Sequence, residues 1–262
     1  MPKARRAPEE ARHISRGPRL DQLLVDRGMA ESRARAEGMI RAGLVWLGTE
    51  RLDKPGRAMA LDAAIEVRGR EHPWVSRGGI KLAHGLAHFG IAAAGLTALD
   101  VGASTGGFTH VLLENGAARV YAVDVGHGQL AWSLRNDPRV VVLERTNARH
   151  LDAGLVPDLV DLVVCDASFI GLETVLPAAL ARARPGARLI ALIKPQFEVG
   201  KGRVGKGGVV RDPELHREVC ERITAWLNSL PGWTVLGVET SPITGPEGNV
   251  EFLVGAALGD VP

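Results

Sequence analysis

Apolar positions follow two periods in turn along this chain. After Arg19, the residues Leu20, Leu23 and Leu24 share one face of a helix that Gly28 ends. Ser32 is placed to cap a second helix carrying Ala36, Met39 and Ile40, which Gly43 closes. Residues 44–47 read as a short strand, turns follow at Gly48-Thr49 and Lys54-Pro-Gly56, and residues 65–67 read as another strand. Beyond residue 76 short apolar runs alternate with helical stretches. Strands are predicted at 97–101, 119–125, 140–143, 159–165, 187–193, 233–239 and 250–256. Helices are predicted at 79–89, 106–114, 128–135, 170–184 and 213–229. Such alternation implies an α/β fold built on a mostly parallel, doubly wound sheet.

Residues 1–18 hold few apolar side chains, three prolines and scattered arginines, the pattern of a flexible basic arm. Gly69-Arg-Glu-His-Pro-Trp-Val75 has the composition of a linker. The expected organisation is therefore an arm at 1–18, a small α+β domain at 19–68, a linker at 69–75 and a large α/β domain at 76–262.

Charge sharpens that division. Residues 1–70 contain 15 Lys and Arg against 10 Asp and Glu, and the remainder 17 against 20. A basic front on a mildly acidic body suits a module that grips a polyanion. Its arginines Arg19, Arg27, Arg33, Arg35 and Arg41 fall in or beside the two helices, and with Arg77 they form the expected RNA-contacting set. The words Arg19-Leu-Asp21, Arg27-Gly28, Ser32-Arg33, Gly43-Leu-Val45 and Lys54-Pro55 resemble the S-four RNA-binding domain, with Leu47-Gly48 where that family usually has Asn before the glycine. No apolar run reaches 18 residues, so no membrane span is expected, and the basic start lacks the apolar core of a secretory signal. Cys165 and Cys220 are far apart and fit a reducing, cytoplasmic compartment. The spacing of Cys and His matches no metal-ligand pattern, so no metal is expected.

The large domain is organised around Ala98-Leu-Asp-Val-Gly-Ala-Ser-Thr-Gly-Gly-Phe-Thr109: a strand, a glycine turn and a helix start. Such a turn lets backbone approach a nucleotide-like ligand. A dinucleotide needs a pyrophosphate cradle, whereas S-adenosylmethionine has no phosphate and carries cationic groups that an acid such as Asp100 would favour. Asp124, ending the next strand, can accept from ribose hydroxyls of either ligand. The next strand ends in Glu144-Arg-Thr-Asn-Ala-Arg149, polar enough to meet an adenine edge, and the one after it in Cys165-Asp-Ala-Ser-Phe169. The expected cofactor set is Asp100, Gly102, Ser104, Thr105, Gly106, Gly107, Phe108, Asp124, Asn147, Ala148 and Asp166, with S-adenosylmethionine favoured over a nicotinamide cofactor.

Five further polar words are more than a core needs: Trp74-Val-Ser-Arg-Gly-Gly-Ile-Lys81, Asp166-Ala-Ser-Phe-Ile, Ile193-Lys-Pro-Gln-Phe-Glu198, Gly207-Gly-Val-Val-Arg-Asp-Pro213, and the stretch from Ser241 through Gly-Pro-Glu-Gly-Asn-Val to Glu251. Glu251, read as lying inside the last apolar strand, is costly to bury unless paired. With these words the chain resembles the TlyA-type (haemolysin A) methyltransferases, an S-four domain fused to an FtsJ-like RNA 2′-O-methyltransferase. The resemblance runs from about Arg19 to Leu258. It implies a Rossmann-like class I methyltransferase fold with a seven-stranded sheet, and S-adenosylmethionine as cofactor. It also implies a Lys-Asp-Lys-Glu tetrad at Lys81, Asp166, Lys194 and Glu251, and methylation of a cytidine ribose in ribosomal RNA of the large and, in some members, the small subunit. Lys194 then serves either as the base or as an orienting group while a carboxylate or water takes the proton. A monomer is expected. Two other readings stay on the table: a non-catalytic RNA-binding or ribosome-assembly factor, and a membrane-acting haemolysin, which no span or basic amphipathic helix supports.

Overall fold

The computed structural model describes residues 17–30, 32–68, 72–245 and 247–259. Residues 1–16 of the expected arm and 69–71 of the expected linker lie outside the described residues. At the front, α1 (Leu20–Asp26) and α2 (Arg33–Arg41) pack on a three-stranded sheet of β1 (Val45–Leu47), β2 (Glu50–Arg51) and β3 (Ile65–Val67), in the order β2-β1-β3. Ser32 caps α2 as its position suggests, its Oγ accepting from Arg35 N at 3.2 Å. Leu20, Leu24, Ile40, Val45 and Leu52 are fully buried together and form a core of their own.

The remainder is a seven-stranded sheet between two helical layers. Its elements are α3 (Gly78–His88), β4 (Thr97–Val101), α4 (Gly107–Glu114), β5 (Arg119–Val123), α5 (Trp132–Arg135), β6 (Val140–Leu143), β7 (Val160–Cys165), α6 (Leu172–Val175), α7 (Pro177–Leu180), β8 (Ala183–Ile193), α8 (Pro195–Glu198), α9 (Pro213–Ser229), β9 (Trp233–Thr240) and β10 (Phe252–Leu258). The strand order is β6-β5-β4-β7-β8-β10-β9, with only β10 antiparallel, to both its neighbours. Alternate residues serve opposite layers. Ala98, Val120, Leu162, Ile190 and Leu192 face Leu82 and Leu86 of α3 and Phe108 and Leu112 of α4. Leu99, Val101, Val163, Leu189 and Ala191 face Leu176 of the α6–α7 pair and Ile223 and Leu227 of α9.

This is the mostly parallel α/β arrangement the periodicity predicts, with local differences. The helix expected over 170–184 is two single turns, because Pro177 lacks the N–H that would continue α6 and its ring crowds the preceding turn. Residue 183 already belongs to β8, paired with Val160. The helix expected from 128 begins only at Trp132, after Gly128 takes a left-handed φ of 69°. The last strand starts at Phe252, so Glu251 stands at its mouth and not inside it. The turn at Gly48-Thr49 closes a hairpin onto β2, which is too short and exposed to show an apolar pattern.

Topology places the site. From β4 the chain moves outward to β5 and β6, then returns to the other side of β4 as β7. Ligands in open α/β sheets bind where the winding reverses, at the carboxyl ends of the strands. Here that point lies between the turns after β4 and β7. They approach so closely that a Cβ on Gly102, whose φ is +82°, would stand 2.9 Å from the backbone N and Cα of Ala167. The front domain abuts the same end: a Cβ on Gly28 would lie 2.3 Å from Ala131 Cβ.

Candidate active site

The glycine turn is held from beneath. Gly102 N and Ala103 N both donate to Val123 O, at 2.9 and 3.0 Å, tying the turn to the end of β5. Ser104, at a left-handed φ of 48°, donates its N–H to Asp124 Oδ2 at 2.8 Å, and Gly126 N donates to Asp124 Oδ1 at 2.6 Å. Asp100 is wholly buried under the turn. Thr109 Oγ1 donates to its Oδ2 at 2.6 Å, while Oδ1 has no hydrogen-bond partner within the protein. Burial pushes the Asp100 carboxyl up to about 7, with Asp166 and Asp124 adding like-charge repulsion.

Four charged side chains from distant parts of the chain converge on one cavity of about 680 Å³ beside this turn. Lys81 projects from α3 and meets Glu251 at the mouth of β10, Nζ to Oε2 at 2.5 Å, with both groups almost fully buried. Lys194 follows the end of β8 and meets Asp166 after β7, Nζ to Oδ1 at 2.6 Å. That contact is off the hydrogen-bonding direction, so Asp166 Oδ1 keeps an unfilled acceptor position. Lys194 Nζ also donates to Asp166 O at 3.1 Å and Ser168 Oγ at 2.9 Å. The antiparallel course of β10 explains the convergence. Its amino end lies beside the carboxyl ends of β7 and β8, so Glu251 reaches the same rim as Asp166 and Lys194.

Of the residues predicted from sequence for a cofactor, Gly102, Ser104, Thr105, Gly107, Phe108 and Asp166 line this cavity. The others are placed differently. Asp100 lies beneath the turn, and Gly106, at the start of α4, packs against Leu130 and Leu134. Both oxygens of Asp124 hold backbone amides. Asn147 Oδ1 accepts from Arg149 N at 3.1 Å in a short helical turn, and Ala148 is buried in the core.

The cavity also has walls that the sequence reasoning did not single out. Gln196 Oε1 is buried there with no partner within the protein. Phe169 is 89% exposed at a left-handed φ of 66°, its ring 5.0 Å from that of Phe197. Buried Asn249 accepts from Val210 N at 3.0 Å and donates to Gly208 O at 3.0 Å, fastening the glycine-rich loop that carries Lys206 and Arg211. Val25, Asp26 and Ala30 of the front domain complete the wall. A signal for Phe169 was present, since it sits in the same word as Asp166. Nothing in the sequence marked Val25, Asp26 or Ala30.

The basic front divides into two classes of arginine. Arg19 and Arg33 both donate to the fully buried Asp21, at 2.8 and 2.9 Å to Oδ2, and hold its carboxyl well below the usual range, Arg19 most strongly. Arg27 donates to Leu61 O and Ala63 O, each at 2.5 Å, pinning the loop before β3. These three work for the fold. Arg35 is exposed, and Arg41 reaches Glu37 only at 3.4 Å. Arg77 lines the main cavity, its Nη2 3.5 Å from Thr244 O.

The unfilled acceptors suit a donor-rich, cationic ligand. Asp166 and Gln196 face the cavity and Asp100 lies beneath it, while the glycines keep the near wall free of side chains. S-adenosylmethionine brings an ammonium, a sulfonium and ribose hydroxyls to these acceptors, and a carboxylate that the lysines and hydroxyls of the same lining can meet. Among the described residues no helix is long and apolar enough to cross a membrane.

Comparison with known proteins agrees with this geometry. The FtsJ-like methyltransferase family model matches residues 74–258, and the S4 domain model matches residues 18–58. A 16S/23S rRNA (cytidine-2′-O)-methyltransferase, TlyA, of Mycobacterium tuberculosis is 52% identical over 242 residues, 92% of this chain and 90% of its own length. Hemolysin A of Brachyspira hyodysenteriae is 37% identical over 236 residues, 90% of this chain and 98% of its own. Among solved structures, a candidate hemolysin from Streptococcus thermophilus superposes with a TM-score of 0.72 at 41% identity, covering 93% of this chain and 89% of its own.

Proposed function

This chain belongs to the FtsJ-like methyltransferase family, in its S4-bearing TlyA (haemolysin A) group, and from that premise we propose that it methylates a ribose 2′-hydroxyl of ribosomal RNA, a cytidine, in the cytoplasm. The observation that carries the proposal is the pair of lysine–carboxylate contacts, Lys81–Glu251 buried and Lys194–Asp166 partly so, lining one cavity beside the glycine turn. Four charges are expensive to bury for structure alone. Placed together at a topological switch point, they are accounted for by chemistry there.

S-adenosylmethionine supplies, when bound, an electrophilic methyl group on a sulfonium. The chain's own residues do the rest. Gly102, Ser104, Thr105, Gly107 and Phe108 form the wall against which it rests, and Asp166 and Gln196 offer acceptors. A ribose hydroxyl is a weak nucleophile, so alignment and charge stabilisation are what the protein must provide. The Lys194 ammonium already has two hydrogen-bond acceptors, Asp166 O and Ser168 Oγ, with the Asp166 carboxylate as its counter-ion. A hydroxyl oxygen entering there replaces one of them and is held and polarised, its proton passing to a carboxylate or to water. Lys81, locked by Glu251, keeps a second positive charge at the same wall. The front domain grips structured RNA through phosphate and shape contacts, with its Arg35 and Arg41 and the large domain's Arg77 as the proposed contacts.

Incubation of the full chain with unmodified ribosomal subunits and labelled S-adenosylmethionine should place label on one or a few riboses, mapped by mass spectrometry. Lys194→Met should abolish transfer while retaining cofactor binding in calorimetry. Full transfer by that variant would remove Lys194 from the mechanism. Absence of transfer by the natural chain, with RNA binding intact, would leave the assembly-factor reading.

A further inference from the structure

A second cluster of chemistry-bearing side chains lies away from the cavity, on the outer side of α3. His84 and His88 are four residues apart on that helix and therefore share a face. Their rings stand 6.0 Å apart at an interplanar angle of 29°. Glu239, near the end of edge strand β9, reaches up to both. Its Oε1 is 3.3 Å from His84 Nε2 and its Oε2 is 3.8 Å from His88 Nδ1. One ligand atom from each of the three residues lies within 4.8 Å of the others. None of the three lines the methyltransferase cavity.

We propose that His84, His88 and Glu239 bind one divalent transition-metal ion of the Zn²⁺ type. Two imidazoles at i and i+4 on a helix, joined by a carboxylate from another element, form a three-ligand set that leaves a fourth position for water. With ligand bonds of about 2.0–2.2 Å, tetrahedral geometry sets neighbouring ligand atoms about 3.3 Å apart. The His84–Glu239 separation already has that value. The remaining separations must shorten by up to about 1.5 Å, and side chains between a third and two-fifths exposed have the rotamer freedom to do so. Oxygen and nitrogen donors without sulfur favour Zn²⁺, Co²⁺, Ni²⁺ or Cu²⁺ over Ca²⁺ or Mg²⁺.

The ion would act as a clip. It would join α3 to β9, a strand whose one partner among the described residues is β10. The expected signature is therefore in stability and metal content. The set escaped the sequence reading because Glu239 is 155 residues from His84 and meets it only once β9 has taken its place beyond β10.

The test uses the full chain freed of metal by a chelator. Calorimetry with Zn²⁺ should give one site per chain. Co²⁺ should give the visible absorption of a low-coordinate nitrogen and oxygen site, displaced by Zn²⁺. Free Zn²⁺ at a hundredfold excess over Kd should raise the thermal midpoint by about 5–10 °C. His88→Gln and Glu239→Gln, both at accessible positions, should each weaken binding at least about tenfold, because loss of supporting groups alone costs metal sites that much. His127→Gln, which alters another exposed histidine–carboxylate contact, should leave it unchanged. No Co²⁺ spectrum, or Zn²⁺ affinity and stoichiometry unaltered in both His88→Gln and Glu239→Gln, would overturn the proposal. The cluster would then be an ordinary histidine–carboxylate ion pair.

Discussion

Replacing Glu251 tests how the candidate site is held together. The Lys81 ammonium and the Glu251 carboxylate are 2.5 Å apart and almost fully buried, 8% and 2% exposed by side chain. Removing the carboxylate leaves a cation with little water to solvate it. Breaking a buried pair from one side costs about 3–5 kcal/mol. For a chain of this size about 2–4 °C of thermal midpoint is lost per kcal/mol. Glu251→Ala should therefore lower the midpoint by roughly 6–20 °C. Glu251→Gln, which keeps one acceptor oxygen, should fall at the small end of that range. The decisive variant is the double exchange Lys81→Met with Glu251→Leu. Replacing both members by apolar groups of similar volume is about neutral or stabilising, so the double variant should recover most of the loss. Circular dichroism melts of four proteins, the natural chain, Lys81→Met, Glu251→Leu and the double variant, give the coupling directly. Midpoints that simply add, with a coupling below about 0.5 kcal/mol, would refute the claim that the two charges depend on each other. The same four proteins separate fold from chemistry, since the stable double variant should remain inactive in methyl transfer.

Two further outcomes follow from the site and the front domain. Asp100 in the folded chain titrates at about 7 against an ordinary 3.8, so between those values the fold holds a proton that the unfolded chain has lost, and stability falls as pH rises. The natural chain should lose more unfolding free energy from pH 5 to 7 than Asp100→Asn, by up to about 1.4 kcal/mol per pH unit, and superimposable pH profiles would contradict this. Arg27→Ala should cost about 1.5–3 kcal/mol of stability through its contacts to Leu61 O and Ala63 O, whereas Arg35→Ala should stay within about 0.5 kcal/mol and weaken RNA binding in a salt-dependent filter assay.

Much of this site was legible because charge interrupted an apolar pattern. Lys194 stops the run ending at Ile193, Asp166 follows Cys165, and Glu251 precedes Phe252. A charge at such a place must find a partner or a ligand. Asp124 shows the limit of that rule. It has the same position at a strand end, and each of its oxygens accepts one backbone amide, Ser104 N or Gly126 N, so it ties the turn whether or not it also meets a ligand, and sequence alone does not separate the two roles. The arginines divide in the same way. A positive pattern along α1 and α2 hid the fact that Arg19 and Arg33 are needed to bury Asp21. Strand order was invisible as well, and with it the wall that Val25 and Ala30 add to the cavity.

The position of β10 bears on how the molecule is made. Two strands synthesised earlier, β8 and β9, remain apart until β10 slots between them, for β9 has no other partner among the described strands. The Lys81–Glu251 contact likewise closes over 170 residues. Pairings that span so much chain form late, because their loop entropy is lost before their contacts are gained. A growing polypeptide can thus complete its S4 front domain long before it can assemble four charges around one cavity. On the proposed mechanism, catalytic competence waits for the emergence of β10, and until then β8 presents an unpaired edge.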